Sequence, residues 1–458
     1  MKVSSPILAT AEMMPCPGDE RAARRPAWHG FLRLVPANHV LALADQAVVS
    51  GASFLTLIMV ARATDATQLG AFAIATSAFG VALALQQSLV SQPYAIQRHG
   101  PPELAGERAF CSLIQTALLA AVGVCVLAVA ALALSVHDAT FETAKTACVL
   151  AALLPLVMAK EMVRDFAFAH LRLARALTLD VTAASIQFAL LGWLAFTGRM
   201  SVLAALACVG ISCGAVAIAW LYLTRADFAL RTGSFRMIFR QSWDLGKWLA
   251  LSKAALLVQG YATYWLSAAV AGAAVTGIYA ACMSVISLAN PMLLGLYNFL
   301  TPRSVLAWKH GGHAGLQSRA FKDTFLLAAL MSAFCLFILF AGHMVMRLLY
   351  PSADYQGQRL VLAVLAIGTL VAAVGFPASN ALASMERPRP VAAVTGAAAV
   401  LSVVFVWWFM REWGLLGAAC GLLAANLVWT AGRWIAFFAF SPRSDAALPA
   451  DDTLRGAQ

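Results

Sequence analysis

The chain has 458 residues, 61% of them hydrophobic and only 12% charged, with a net charge of +11 at neutral pH and a mean hydropathy of +0.79. A soluble domain carries about 25% charged residues, so the composition excludes a soluble fold. A transmembrane β-barrel is excluded too, because its short strands alternate apolar and polar residues, whereas the apolar stretches here are continuous.

The first 38 residues are polar and rich in Arg, Pro and Ala. They lack the apolar segment of a signal peptide, and no apolar run precedes Met14-Pro15-Cys16 as a lipoprotein signal requires. Residues 1–38 therefore read as a cytoplasmic tail. About twelve apolar spans follow, each able to cross a hydrocarbon layer about 30 Å thick as a helix. The first six lie at 40–61, 68–96, 108–134, 144–160, 177–197 and 201–224. The other six lie at 242–271, 274–301, 322–348, 358–383, 390–410 and 414–440. Between the two sets, residues 225–241 carry Arg225, Arg231, Arg236 and Arg240 and no long apolar run. This basic cytoplasmic linker divides an N-terminal six-helix bundle (39–224) from a C-terminal one (242–440), and 441–458 form a polar, disordered cytoplasmic tail. The fold class is an all-α polytopic membrane protein.

With the N-terminus inside, cytoplasmic segments hold about 23 Lys and Arg and external ones about 6, the asymmetry of the positive-inside rule. Both termini are then cytoplasmic, in the inner membrane of a bacterium. Basic residues dispersed among short loops also exclude nucleic acid as a partner, since a nucleic-acid face gathers them on one surface. Six spans in each half give both halves the same orientation, so a repeat between them is parallel, with a pseudo-two-fold axis along the membrane normal. Gln68-Leu69-Gly70-Ala71-Phe72 and Val275-Thr276-Gly277-Ile278-Tyr279 open corresponding spans, and Pro93 and Pro302 close them.

Nine cysteines are scattered without metal-ligand spacing, which fits packing between helices. The longest internal polar segment, Arg303 to Lys322, holds His310-Gly311-Gly312-His313 but no carboxylate nearer than Asp323, a poor zinc site. There is no nucleotide-binding glycine loop. No metal, no cofactor and no catalytic residues are expected, which argues against a membrane-embedded glycan polymerase or glycosyltransferase.

Several motifs carry a family resemblance. Asp45-Gln46-Ala47-Val48-Val49-Ser50, Ala61-Arg62-Ala63, Gly70-Ala71-Phe72 and Gln86-Gln87-Ser88-Leu89-Val90-Ser91-Gln92-Pro93 resemble the first two helices of bacterial polysaccharide and O-antigen flippases. These belong to the multidrug/oligosaccharidyl-lipid/polysaccharide (MOP) exporter superfamily. Gly277-Ile278-Tyr279-Ala280-Ala281, Asn290-Pro291, Asn298-Phe299-Leu300-Thr301-Pro302-Arg303 and Gly311-Gly312 are similar to that family's eighth span and the loop after it. The resemblance implies a V-shaped, two-bundle transporter. It would carry an undecaprenyl-diphosphate-linked oligosaccharide to the outer leaflet by alternating access, often coupled to H+ or Na+ and beside a polymerase and a chain-length regulator. The alternative within the superfamily is a multidrug exporter, which needs a carboxylate-lined aromatic pocket.

Charges inside the membrane are costly and tend to face a cavity or a partner. Lys253 lies about 11 residues into its span, roughly 16 Å deep, where a cation either meets a diphosphate or pairs for structure. Lys247 follows Asp244 by three residues, on one helix face, which favours a local ion pair over a substrate contact. Arg433 either snorkels or lines the cavity. Arg62 is an interfacial anchor or a late substrate contact. Asp45, Asp244 and, less so, Asp180 are candidates for ion coupling, with helix capping the bland reading of Asp45. Gln86, Gln87, Gln187, Gln259, Asn290, Asn380 and Asn426 fit helix stitching better than sugar binding. Arg98, Arg108 and the basic residues of 160–175 form a cytoplasmic rim suited to membrane lipid head groups. Tyr264, Trp265, Trp407, Trp408 and Trp413 fit an interfacial aromatic belt.

Overall fold

The computed structural model describes residues 37–98, 102–136, 141–225, 228, 234–385 and 388–440. The expected tails, apart from residues at their inner edges, and Arg231 of the expected linker lie outside the described residues. In chain order the helices are α1 (Ala37–Ala63), α2 (Ala66–Gln86), α3 (Gln92–Gln97), α4 (Ala105–Val136), α5 (Phe141–Ala169) and α6 (Leu173–Phe196). They continue with α7 (Val202–Leu223), α8 (Phe235–Ala271), α9 (Ala273–Ile286), α10 (Asn290–Leu349), α11 (Arg359–Ser384) and α12 (Pro388–Ala439). The described residues contain no strand.

Ten helical stretches are long and apolar enough to cross a membrane, and two of them fold back on themselves. Gly312 (φ 52°) breaks α10 and Gly414 (φ 54°) breaks α12, a left-handed backbone that glycine tolerates at little cost. A Cβ on Gly421 would sit 2.6 Å from the Cα of Val406, and one on Gly315 would sit 2.9 Å from the carbonyl of Ala307. Each pair lies on opposite sides of its break, so the chain reverses there. Counting each arm of these hairpins gives about twelve crossings.

Two local features differ from the sequence expectation. Residues 303–322 are helical, not a loop, because the arms of α10 continue past their apolar stretches to the turn at Gly312. Helix α8 starts at Phe235, inside the segment expected to be linker. At 37 residues it is about 55 Å long and outruns the hydrocarbon layer. A 3-10 turn at Ser287–Ala289, just before Asn290-Pro291, separates α9 from α10.

Helix α2 forms the seam between the halves. The Asp65 side chain caps it by accepting from the Gln68 amide at 2.7 Å. At Gln87–Ser91 it widens into a π turn before α3. Along its length α2 packs against α8: Trp265 Nε1 donates to Ser77 Oγ at 2.7 Å, Tyr261 lies over Gly80, and Gly246 lies over Ser88 and Leu89. Beyond α8, the start of α9 crosses the start of α2. A Cβ on Gly70 would collide with the carbonyl of Ala273, and one on Gly277 with the carbonyl of Ala66. The crossing is reciprocal, so the two motif glycines matched in the sequence touch each other about a local two-fold axis.

Gly70→Val and Gly277→Val are expected to push the two backbones apart and lower stability by roughly 1–3 kcal/mol, as overpacking does. Thermal unfolding in detergent, together with labelling of a cysteine placed at Thr64, would show a lower midpoint and faster labelling in both variants. The same substitution at Gly51, where a Cβ meets nothing within 4 Å, serves as the control.

Candidate functional site

Five charged side chains converge inside the first half. Asp45 comes from α1, Lys160, Glu161 and Arg164 from α5, and Asp180 from α6. Arg164 is the hub: its Nη2 donates to Asp45 Oδ2 at 2.7 Å and its Nε to Asp180 Oδ2 at 2.7 Å, with Nη1 at 3.4 Å from Glu161 Oε2. Lys160 pairs with Asp180 and, at 2.9 Å, with Glu161. The carboxyls of Asp45 and Asp180 also lie within hydrogen-bonding reach of each other. With all five ionised, two cations face three carboxylates and one negative charge is left over; a proton shared by Asp45 and Asp180 would remove it. Asp45 is only 1% exposed, and its Oδ1 has no hydrogen-bond partner.

Beside this cluster lies a cavity of about 470 Å³, bordered by Lys160, Glu161, Asp180, Gln187 and the rings of Tyr261 and Tyr264. Tyr264 packs edge-on to Tyr279 at 5.1 Å, and Trp265 bonds to α2. Tyr264 thus faces the interior and is not part of an interfacial belt, whereas Trp265 is 42% exposed despite its bond to α2.

The second half has a different centre. Arg433 on α12 is 6% exposed, stacks 3.3 Å from the centre of the Trp429 ring, and reaches Thr395 Oγ1 at 3.4 Å. It has no carboxylate partner within ion-pair distance among the described residues, and its Nε and the Trp429 Nε1 both lack acceptors. A buried cation without an anion is costly. Nearby, Tyr297 stacks on Phe376 at 3.6 Å, and Asn380 Nδ2 donates to Thr301 Oγ1 at 3.2 Å.

Lys253 on α8 contacts Gln87 Oε1 at the π turn of α2 and lies within electrostatic range of Asp165. Measured from Ala271, it is about 27 Å along α8, nearer one face of the membrane than a span of 242–271 implies. Asp45, Lys160 and Asp180 lie about 24–29 Å from the corresponding end of their own helices, and Arg433 about 29 Å from the break at Gly414, comparable to Lys253.

The other expected site residues stand apart from these charges. Asp244 lies about 40 Å from Ala271, beyond the hydrocarbon. Its Oδ1 accepts from Lys247 at 2.7 Å, with both side chains exposed. The hydrogen bond from Lys247 holds its carboxyl below the usual carboxylate range. Arg62 reaches across the seam: its Nε donates to the Leu349 carbonyl at 3.0 Å and its Nη2 to the Leu348 carbonyl. It therefore closes the last turn of α10 from the other half. Three of the neutral residues stitch helices: Gln86 donates to the Met158 carbonyl at 2.8 Å, Gln187 to Thr56 Oγ1 at 2.6 Å, and Asn426 to the Gly368 carbonyl at 3.1 Å, whereas Asn290 is exposed. By sequence Lys160 and Arg164 belong to a cytoplasmic rim for lipid head groups; the structure instead draws them into the charged network of the first half, because carboxylates of α1 and α6 pair with them. Arg164 lies next to Asp165 in a stretch that resembles a span end. No group of three His, Cys, Asp or Glu side chains suited to a metal ion occurs among the described residues.

No family model and no curated protein matches the chain. Solved structures do. One, described as an inward-facing multidrug resistance MATE family transporter of the MOP superfamily, matches with a TM-score of 0.69 at 18% identity, over 88% of this chain and 94% of that one. The outward-facing conformation of a MATE transporter gives 0.60 at 16% identity, over 87% and 93%. A MOP superfamily transporter from Pyrococcus furiosus Vc1 gives 0.60 at 15% identity, over 87% and 93%. The chain has the MOP transporter fold.

Arg164→Met is expected to strand Asp45 and Asp180 as buried, underpaired charges, lowering stability by roughly 3–5 kcal/mol. Adding Asp45→Asn should recover part of that loss. A double-mutant cycle on thermal unfolding in detergent measures the coupling.

Proposed function

We propose that the protein is an alternating-access flippase that moves an undecaprenyl-diphosphate-linked oligosaccharide repeat unit across the bacterial cytoplasmic membrane, for exopolysaccharide, capsule or O-antigen synthesis. The observation that carries this reading is Arg433. It is a buried guanidinium with no carboxylate partner among the described residues, beside an indole N–H that also lacks an acceptor. Donors without acceptors suit a ligand rich in acceptor oxygens and negative charge, as a diphosphate is. Lys253 supplies a second cation at a comparable depth and on the seam, so the two would hold the diphosphate from α12 and α8. The lipid tail would stay in the bilayer while the head group crosses.

In this scheme the glycine crossing and Arg62 close the external end, and the halves rock about the seam. The first half supplies the coupling. The charge left over in its cluster, centred on Asp45 and Asp180, takes up a proton or a sodium ion, and neutralising it loosens the hold of Arg164 on α1 and α6. Asp244, exposed and paired with Lys247, is the weaker coupling candidate.

One observation favours a second reading, export of cationic small molecules. The 470 Å³ cavity is lined by two carboxylates and by aromatic rings, the pocket such an exporter requires, and two of the neighbours are described as multidrug resistance transporters. Against it, Lys160 and Arg164 already occupy those carboxylates.

The two readings separate in cells with the gene intact, deleted, or carrying Arg433→Ala or Lys253→Ala, at matched membrane abundance. As a flippase, the deletion accumulates lipid-linked repeat units on the cytoplasmic side. Arg433→Ala follows it with at least a tenfold fall in transport, the cost of one charge-assisted contact. As a drug exporter, the deletion accumulates none and instead becomes sensitive to cationic dyes. Asp45→Asn should leave substrate binding in place while abolishing the dependence of transport on the ion gradient.

A further inference from the structure

A groove of about 520 Å³ runs between α6 and α7, on the first half. Arg175 and Thr224 mark its mouth and Ile186 its far end. From Arg175 to Ile186 it extends about 16 Å along α6, half the thickness of a hydrocarbon layer of about 30 Å. Its depth is that of one leaflet. The wall is apolar even where threonines stand. Thr178 Oγ1 donates to the Arg175 carbonyl at 2.8 Å, Thr182 Oγ1 to the Thr178 carbonyl at 2.6 Å, and Thr224 Oγ1 to the Trp220 carbonyl at 2.9 Å. The floor includes Trp220, which packs edge-on to Phe166 at 5.6 Å.

The mouth is cationic. Arg225 lies over the Tyr222 ring at 4.7 Å at this end of α7. One turn before Arg175, Arg172 precedes α6 and borders a second hollow of about 270 Å³, shared with Arg98, Arg108 and His170. Among the described residues no carboxylate lines either space. A leaflet-deep apolar slot with Arg175 at its mouth, and with Arg172 and Arg225 at the same ends of the two helices, is complementary to one kind of molecule, an amphiphile with an anionic head.

We propose that this groove holds one anionic glycerophospholipid of the cytoplasmic leaflet, with its phosphate on Arg172 and Arg175 and an acyl chain between α6 and α7. The site is separate from the transport path. It backs the helix whose other face presents Asp180 to Lys160 and Arg164, so an occupied groove braces α6 behind that ion pair.

The test is lipid binding to the purified, delipidated full chain, followed by native mass spectrometry with phosphatidylglycerol and phosphatidylcholine of identical chains. One phosphatidylglycerol should bind in preference to phosphatidylcholine. Replacing both Arg172 and Arg175 by Ala should weaken it by about tenfold or more, given the attraction each basic residue exerts on anionic lipid. Ala215→Trp, at an exposed position in the groove, should weaken it by obstructing the chain while the charges stay. Replacing the exposed Arg236 and Arg240 by Ala should leave it unchanged. Equal binding of the two lipids, undiminished binding in Ala215→Trp, or an equal loss in the Arg236/Arg240 variant would each overturn the proposal.

Discussion

The structure depends on one close approach, the crossing of α2 and α9 at Gly70 and Gly277. Two backbones can come this near only where neither carries a Cβ, and the carbonyls of Ala66 and Ala273 occupy the space a side chain would take. This contact sets the angle between the halves at one end. From it α2 descends against α8, through Ser77, Gly80 and Gln87, so the seam has a tight, small-residue end and a polar end. Small-residue crossings of this kind are how membrane helices associate when no hydrophobic force separates them from lipid.

Around that seam, the pseudo-symmetry of the backbone is not matched by symmetry of charge. The first half gathers three carboxylates and two cations into one network, most of it buried. The second half places an arginine on an indole ring, with only a long contact to a threonine hydroxyl. Paired charges of this kind hold elements together, and removing a partner is costly. An unpaired charge is a cost that the fold carries and that a ligand can relieve. Measured along their helices, the two centres sit at comparable distances from the glycine crossing's end of the molecule.

Much of the architecture was legible in the sequence because hydropathy and loop charge act over whole helices. The twelve crossings and the repeat glycines follow from patterns that any membrane helix must satisfy. The expected loop at 303–322 failed for a physical reason: hydropathy reports where a helix leaves the lipid, not where it ends. The same ambiguity moved Lys253 away from the midplane, since α8 begins well before its apolar stretch. Among the site residues, the pairing of Lys247 with Asp244 was visible because it is local. The bonds from Arg164 to Asp45 and Asp180 join three helices, and no sequence spacing records them.

Arg62 completes the picture at the opposite end of the molecule from the two charged centres. Its acceptors are main-chain carbonyls at the end of α10, groups every residue possesses. A mutational scan of α10 would therefore pass over this contact, because no side chain there provides it. Its genetic signature is one-sided, visible at Arg62 and silent at Leu348 and Leu349. This contact alone places no demand on the side chains of Leu348 and Leu349, although Leu349 also packs against the core.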